Sequence, residues 1–210
     1  MKAIKVILVM AMTMLLIGTV RASNISAKVW YAEATDIEDP ALLYGATGYL
    51  DLGANIWISA MFLTGTYDGN DTTGNSIGDV DTTDAEALIG CSLLNGILDI
   101  GVGGRFSVWE WQGIQDDFQM FGPTAYIGLG DNFGDLPLGW YVGGSYMFKD
   151  FGDADDKNWS ATYEHYNVEG GIYGTVGALV ATVGYRYKDY TDSKVDLDFR
   201  GVTASIGLGF

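Results

Sequence analysis

Apolar and polar side chains alternate with a period of two over residues 202–210. One face carries Val202, Ala204, Ile206, Leu208 and Phe210, and the other carries Thr203, Ser205, Gly207 and Gly209. This alternation predicts a β-strand with one apolar face and one face of small and polar groups. Nine residues is also about the length that a tilted strand needs to cross a hydrocarbon layer.

The same period recurs in three other segments, residues 98–108, 138–148 and 179–187. In the first of them Arg105 lies on the face opposite Val102 and Phe106. An arginine on the lipid side of such a strand would cost about 2–4 kcal/mol, so Arg105 is expected to face the interior of a barrel. No long helical period follows residue 22, and the pattern therefore predicts an all-β fold.

Ten strands can be counted from this pattern. Four hairpins are predicted at 42–66, 84–111, 119–149 and 161–190, with a first strand near 25–34 and a last strand at 200–210. Short turns alternate with longer loops rich in Asp, Gly, Asn and Thr, as in an antiparallel transmembrane up-and-down β-barrel. The alternative is eight strands with residues 25–40 as an N-terminal arm. The apolar parity changes between Phe199 and Val202, which predicts either a bulge or an upper strand end that stands clear of lipid.

Residues 1–22 have the pattern of a secretory signal peptide. Lys2 and Lys5 precede an apolar run from Val6 to Val20, and small residues follow before Ser23. Fifteen apolar residues are too few to span a membrane comfortably as a helix. We therefore predict a signal peptide at 1–22 and one barrel domain at 23–210.

Charge and composition exclude other classes of protein. The chain has 27 Asp and Glu against 11 Lys and Arg, so it lacks the basic surface that binds nucleic acid. Its 30 Gly and three Pro suit strands that carry apolar residues only at alternate positions. Cys91 is the sole cysteine, which excludes an intrachain disulfide.

The last strand also resembles the C-terminal assembly signal of bacterial outer-membrane barrels. Thr203, Leu208 and Phe210 match the polar, hydrophobic and aromatic positions of that signal, whereas Ser205 stands where those proteins usually have Gly. The chain as a whole resembles the OmpA/OmpX-like class of small barrels. The resemblance implies export to the outer membrane of a Gram-negative cell, insertion by the barrel assembly machinery, and contact with outer-membrane lipids and lipopolysaccharide.

Parity along the predicted strands also assigns an interior. It predicts a polar network in the lumen, because opposite charges in a narrow interior pair with each other. Its members are expected to be Glu86, Asp99, Arg105, Tyr126, His165, Glu169 and Arg186. Aromatic residues near strand ends, Trp109 and Trp140 among them, are predicted to form the girdles at the membrane interfaces.

Candidate chemistry is sparse. His165-Tyr166-Asn167 faintly resembles the His-x-Ser motif of lipid A deacylases, but Asn167 replaces the serine and its amide cannot act as that nucleophile. The Asp-rich stretches at 67–84 and 150–156 could hold divalent cations loosely, without the spacing of a dedicated site. We therefore expect no catalytic, cofactor or metal residues, and a non-enzymatic structural or surface-interaction role. The alternatives are a narrow channel for small solutes and a lipid-modifying enzyme.

Overall fold

The computed structural model is a closed antiparallel β-barrel of ten strands. It describes residues 23–35, 37, 39–68, 78–111, 118–148, 164–191 and 196–210. The signal-peptide prediction and the acidic residues at 150–156 therefore fall outside the described residues. The strands are β1 (Asn24–Ala34), β2 (Ala41–Gly53), β3 (Ile56–Tyr67), β4 (Val80–Leu93), β5 (Leu98–Trp111), β6 (Phe118–Asn132), β7 (Leu138–Met147), β8 (Glu164–Val176), β9 (Leu179–Thr191) and β10 (Asp196–Gly209).

Each strand pairs with its neighbours in sequence, and β1 closes the sheet by pairing with β10. This seam runs in continuous register from Asn24 opposite Gly209 to Ala34 opposite Phe199. Closure leaves no strand edge unpaired, which is the condition for a sheet to exist in hydrocarbon. The ten-strand prediction is confirmed, and the alternative of eight strands with an N-terminal arm is wrong, because residues 24–34 form a strand of the barrel wall.

The two ends of the barrel differ. Four tight connections lie at the end that also carries Ser23 and Phe210, and we call it the turn end. Two of these connections place Ala54, Asn55, Leu94 and Asn95 at positive φ, as sharp reversals of the chain require. At the opposite end, which we call the loop end, the chain leaves the barrel wall after Ala34, Tyr67, Trp111, Met147 and Thr191. Among the described residues, no helix is long and apolar enough to cross a membrane.

The outward surface forms an apolar belt that begins at the turn end. The exposed side chains include Val102 and Ile206, each 61 % exposed, and every strand contributes others, such as Ile25, Leu42, Ile56, Ile89, Ile127, Val142, Ile172 and Val183. In water such a surface would be an aggregation site, whereas in a bilayer it is matched to the acyl chains. The belt therefore defines the part of the barrel that is built to contact lipid.

Toward the loop end of β4, β5 and β10 the pattern reverses. Outward positions become polar, as at Asp81, Glu110 and Arg200, while inward positions become apolar, as at Trp109 and Phe199. In β10 the pairing with β9 stays in register through this change, so the predicted bulge between Phe199 and Val202 is wrong. Along this unbroken strand Phe199 faces inward, whereas Arg200 and Val202 face outward; that the upper strand end stands clear of lipid stays a prediction. Trp109, predicted for the girdle, is 4 % exposed and faces the interior.

Candidate functional site

Asp84 is the centre of a charged cluster inside the barrel. It lies on β4 and its side chain is fully buried. Its carboxylate is 2.8 Å from Nη2 of Arg186, 3.1 Å from Nζ of Lys188 and 3.9 Å from Nε of Arg105. Three cations thus surround one carboxylate, and two of them come from β9 on the far side of the barrel.

A second carboxylate and a histidine complete the Arg105 side of this cluster. Arg105 Nη2 lies 2.7 Å from Oε2 of Glu86, and the two residues are direct partners in the β4–β5 register. Its Nη1 lies 3.3 Å from Nδ1 of His165, on β8. The imidazole stacks flat on the ring of Tyr190, with centroids 4.2 Å apart. His165 is thereby held between a guanidinium and an aromatic ring.

Hydroxyl and amide groups add hydrogen bonds to the cluster around Asp84. Ser107 donates a hydrogen bond of 2.8 Å to Asp84 and accepts one of 3.1 Å from the hydroxyl of Tyr190. Arg186 donates through Nε to the amide oxygen of Asn167 at 2.6 Å. The Arg186 guanidinium also lies 4.8 Å from the ring centroid of Trp30, a cation–π contact.

A separate ion pair lies inside the barrel, closer to the middle of the apolar belt. Lys28 on β1 donates to both carboxylate oxygens of Glu169 on β8, at 2.7 and 2.6 Å. Tyr141 and Thr203 donate to the same carboxylate at 2.9 and 3.3 Å. Buried charges are stable only when paired and hydrogen-bonded in this way, since an isolated buried charge costs several kcal/mol.

An apolar cluster fills the interior on the loop side of the charges, and we call it the plug. Trp109 is central to it, with its ring centroid 4.6 Å from Phe199, 5.9 Å from Tyr190 and 6.0 Å from Tyr67. The other buried members include Leu43, Leu63, Val80, Met120 and Met147. These buried side chains pack against one another as in a soluble core.

On the turn side, aromatic rings lie over inward glycines. The ring of Trp57 covers Gly90 and Gly101, where a Cβ atom would overlap it. The hydroxyl of Tyr126 is in the same way close to Gly128 and Gly143. The two rings contact each other edge to face, with centroids 5.8 Å apart. The glycines of β4–β7 therefore make the room that these large rings need inside a narrow barrel.

The predicted lumen residues all face the interior, but they do not form one network. Glu86, Arg105, His165, Glu169 and Arg186 lie in or beside the two charged groups described above. Asp99 lies lower, where it accepts a hydrogen bond of 2.6 Å from Ser92, and Tyr126 packs on Trp57. Of the predicted assembly residues, Thr203 is buried inside the barrel, whereas Leu208 and Phe210 are exposed on the outer surface.

Three interior charges were missed by the sequence analysis: Lys28, Asp84 and Lys188. Asp84 lies where the predicted Asp-rich stretch 67–84 meets the predicted hairpin 84–111, whereas β4 already begins at Val80. The sequence did contain a signal that Asp84 faces the interior: it lies two residues from Glu86, so both positions fall on the same face of a strand. Lys188 shares parity with Arg186 in the same manner. Of the five Lys and Arg in the part of the chain that the structure describes, four face the interior, and Arg200 faces outward.

The geometry limits the chemistry of this interior. Asn167, which replaces the serine of the deacylase-like motif, accepts a hydrogen bond from Arg186 and is held in the charged cluster. His165 has no measurable exposure, so a substrate cannot reach its ring in this conformation. No group of three or more metal-ligating side chains occurs among the described residues.

Comparison with known proteins gives a structural likeness. No family model matches the chain, and no curated protein matches it. The crystal structure of the outer membrane protease OmpT from Escherichia coli is similar in fold, with a TM-score of 0.50 over 91 % of this chain and 93 % of that chain. The sequence identity is 12 %, so the likeness is one of fold. The expectation that the chain is not an enzyme is contradicted by this comparison, because a barrel of the same architecture is an enzyme. The chain therefore has an outer-membrane-type barrel fold.

Proposed function

We propose that this protein is an outer-membrane barrel with a closed lumen that acts at the cell surface through its acidic loops, in a structural or surface-interaction role. The observation that carries the proposal is the filled interior. Ion pairs from Asp84 cross the lumen from β4 to β9, and the plug packs directly on their loop side. A solute moving through the barrel would have to displace both layers.

The surroundings of the barrel belong to the same proposal. The apolar belt supports a location in the outer membrane, after export directed by residues 1–22. We propose that the barrel assembly machinery recognises Thr203, Leu208 and Phe210. Most of the 27 acidic residues lie in or next to the loop-end connections, so contact with the phosphates of lipopolysaccharide would need bridging divalent cations.

Planar-bilayer recording tests the closed lumen. Detergent-refolded protein is expected to insert without producing conductance steps, because the described interior is packed at the level of the charges and the plug. A refolded porin under the same conditions serves as the positive control. Discrete, voltage-independent steps from the pure protein would contradict the proposal and favour the narrow-channel alternative.

Peptide hydrolysis is a second candidate function. Two observations favour it: the fold is shared with an outer membrane protease, and Asp84 and His165 both contact Arg105 in one cluster toward the loop end. A carboxylate and an imidazole are groups that general acid–base catalysis uses. For hydrolysis to occur the plug would have to open and admit water and peptide.

A mixture of unstructured peptides, incubated with the refolded barrel and analysed by mass spectrometry, tests this candidate. If the barrel is a peptidase, cleavage is expected in the wild type and a loss of at least about 100-fold in His165→Gln, the range for removal of a general acid or base. A folded barrel migrates differently on a gel before and after boiling. The same heat-modifiable migration in the variant would show that it still folds. An intact peptide mixture with wild-type protein would exclude the activity for those substrates.

A further inference from the structure

The seam between β1 and β10 differs from the other nine strand pairs in how it is connected. Each of the other pairs joins strands that are consecutive in the chain, whereas β1 and β10 lie at opposite ends of it. Bringing Asn24 opposite Gly209 closes a loop that contains almost the whole domain. Loop-closure entropy grows with the length of the loop, so this pair has the largest entropic cost to form.

Glu169 makes side-chain contacts with both strands of this seam. Its carboxylate accepts hydrogen bonds from Lys28 on β1 and from Thr203 on β10, although Glu169 itself lies on β8. Lys28 is paired with Ser205, and Thr203 with Trp30, so the two donors are diagonal neighbours across the seam. Tyr141 on β7 donates to the same oxygen atom as Thr203, Oε1.

These contacts hold the seam from inside the barrel. If β1 separated from β10, at least one of the donors would leave the carboxylate, and a largely buried charge would lose a partner. The Lys28 and Glu169 side chains are only 9 % and 14 % exposed, so water could replace the lost contact only in part. Opening of the seam is therefore coupled to the breaking of this ion pair.

We propose that Glu169 is a clasp for barrel closure, which keeps the β1–β10 seam shut by binding Lys28 and Thr203 together. No turn links β1 directly to β10, so only noncovalent contacts hold this strand pair together. The clasp makes opening of the seam more costly than the backbone hydrogen bonds alone would. Glu169 is thus a positioning residue for the seam.

Hydrogen exchange of the refolded protein tests the clasp, with Glu169→Gln as the main variant. The glutamine keeps the size of the side chain and removes its charge. Amides of β1 and β10 are expected to exchange at least about tenfold faster than in the wild type, because losing a charged hydrogen bond in a buried site shifts an opening equilibrium by that much or more. Amides of β4 and β5 are expected to be unchanged.

Glu86→Gln is the matched control. Glu86 is also paired with a cation and has a similar exposure, 11 %, but its partner Arg105 lies on the adjacent strand of the same hairpin. This variant is expected to leave exchange at the seam as in the wild type. Equal acceleration of the seam in both variants, or acceleration spread evenly around the barrel in Glu169→Gln, would overturn the proposal.

Lys28→Met and Thr203→Val give an independent reading if Glu169→Gln does not fold. Each removes one of the two seam contacts and leaves the carboxylate in place. Both are expected to accelerate exchange in β1 and β10, with the larger effect from Lys28→Met, because it also leaves Glu169 without its cation. Wild-type exchange at the seam in both of these variants would overturn the clasp.

Discussion

Replacing Asp84 with asparagine should lower the free energy of unfolding by about 3–5 kcal/mol, the usual cost of removing one partner from a buried ion pair. The reason is the uneven composition of the cluster around this residue. Asp84 contacts Arg105, Arg186 and Lys188, and among the described residues it is the carboxylate that pairs with both β9 cations. An asparagine would leave these cations buried without a compensating charge.

The measurement is the fraction of heat-modifiable, folded barrel on gels after equilibration in increasing urea. Asp81→Asn is the control, since it makes the same change of net charge on the same strand. Asp81 faces outward and accepts a hydrogen bond from Thr66 at 2.6 Å, so its loss should cost only about 1 kcal/mol. Equal unfolding midpoints for the two variants would show that the cluster around Asp84 does not stabilise the barrel.

A double variant sharpens this test. Adding Lys188→Met to Asp84→Asn removes one of the cations that Asp84→Asn leaves without a counter-charge, and replaces it with an apolar side chain of similar length. Part of the stability lost in Asp84→Asn should return, because that loss comes from a buried cation without a partner rather than from the missing contact itself. Simple additivity of the two single changes would mean that Asp84 and Lys188 do not interact.

Replacing Trp109 with alanine should destabilise the barrel by about 3–5 kcal/mol, as large-to-small changes in a packed core do. Trp109 is the centre of the plug, where it contacts the rings of Tyr67, Tyr190 and Phe199. Its removal would leave a cavity that these aromatic neighbours can fill only by losing their own contacts. The same urea titration on gels measures the effect.

Trp140→Ala is the matched control for this variant. Trp140 faces outward within the apolar belt on β7 and is only partly buried. Lipid chains can move into the space that its side chain leaves, so the loss of stability should be clearly smaller than for Trp109→Ala. A larger loss for Trp140 than for Trp109 would contradict the assignment of the plug as a packed core.

Much of the wall of this barrel could be predicted from the sequence. Alternation in 98–108, 138–148 and 179–187 placed the apolar side chains outward and Arg105 inward, because a strand has only two faces and lipid tolerates one kind of residue. The first strand was predicted near residues 25–34, and β1 there pairs with the last strand. The errors arose where the surroundings of a strand change along its length, as at Trp109 and between Phe199 and Val202.

The interior was harder to predict, because its partners are far apart in the chain. Parity indicated that Arg186 points inward, but it carried no information about which carboxylate lies opposite it. Asp84 is 102 residues away in sequence and on the opposite wall. The Asp and Thr residues just before it, Asp81 to Thr83, also favour loops, and this composition masks the start of the strand.

The sequence by itself determined that this chain forms a closed sheet with an apolar outer face, since a two-residue period acts locally and each strand carries its own copy of it. Only the tertiary structure decided what fills the barrel. Whether a lumen is open or closed depends on side chains that meet across it, such as Asp84 with Lys188 and Lys28 with Glu169. These contacts depend on the number of strands and on their register, and no single segment of the sequence determines either of them.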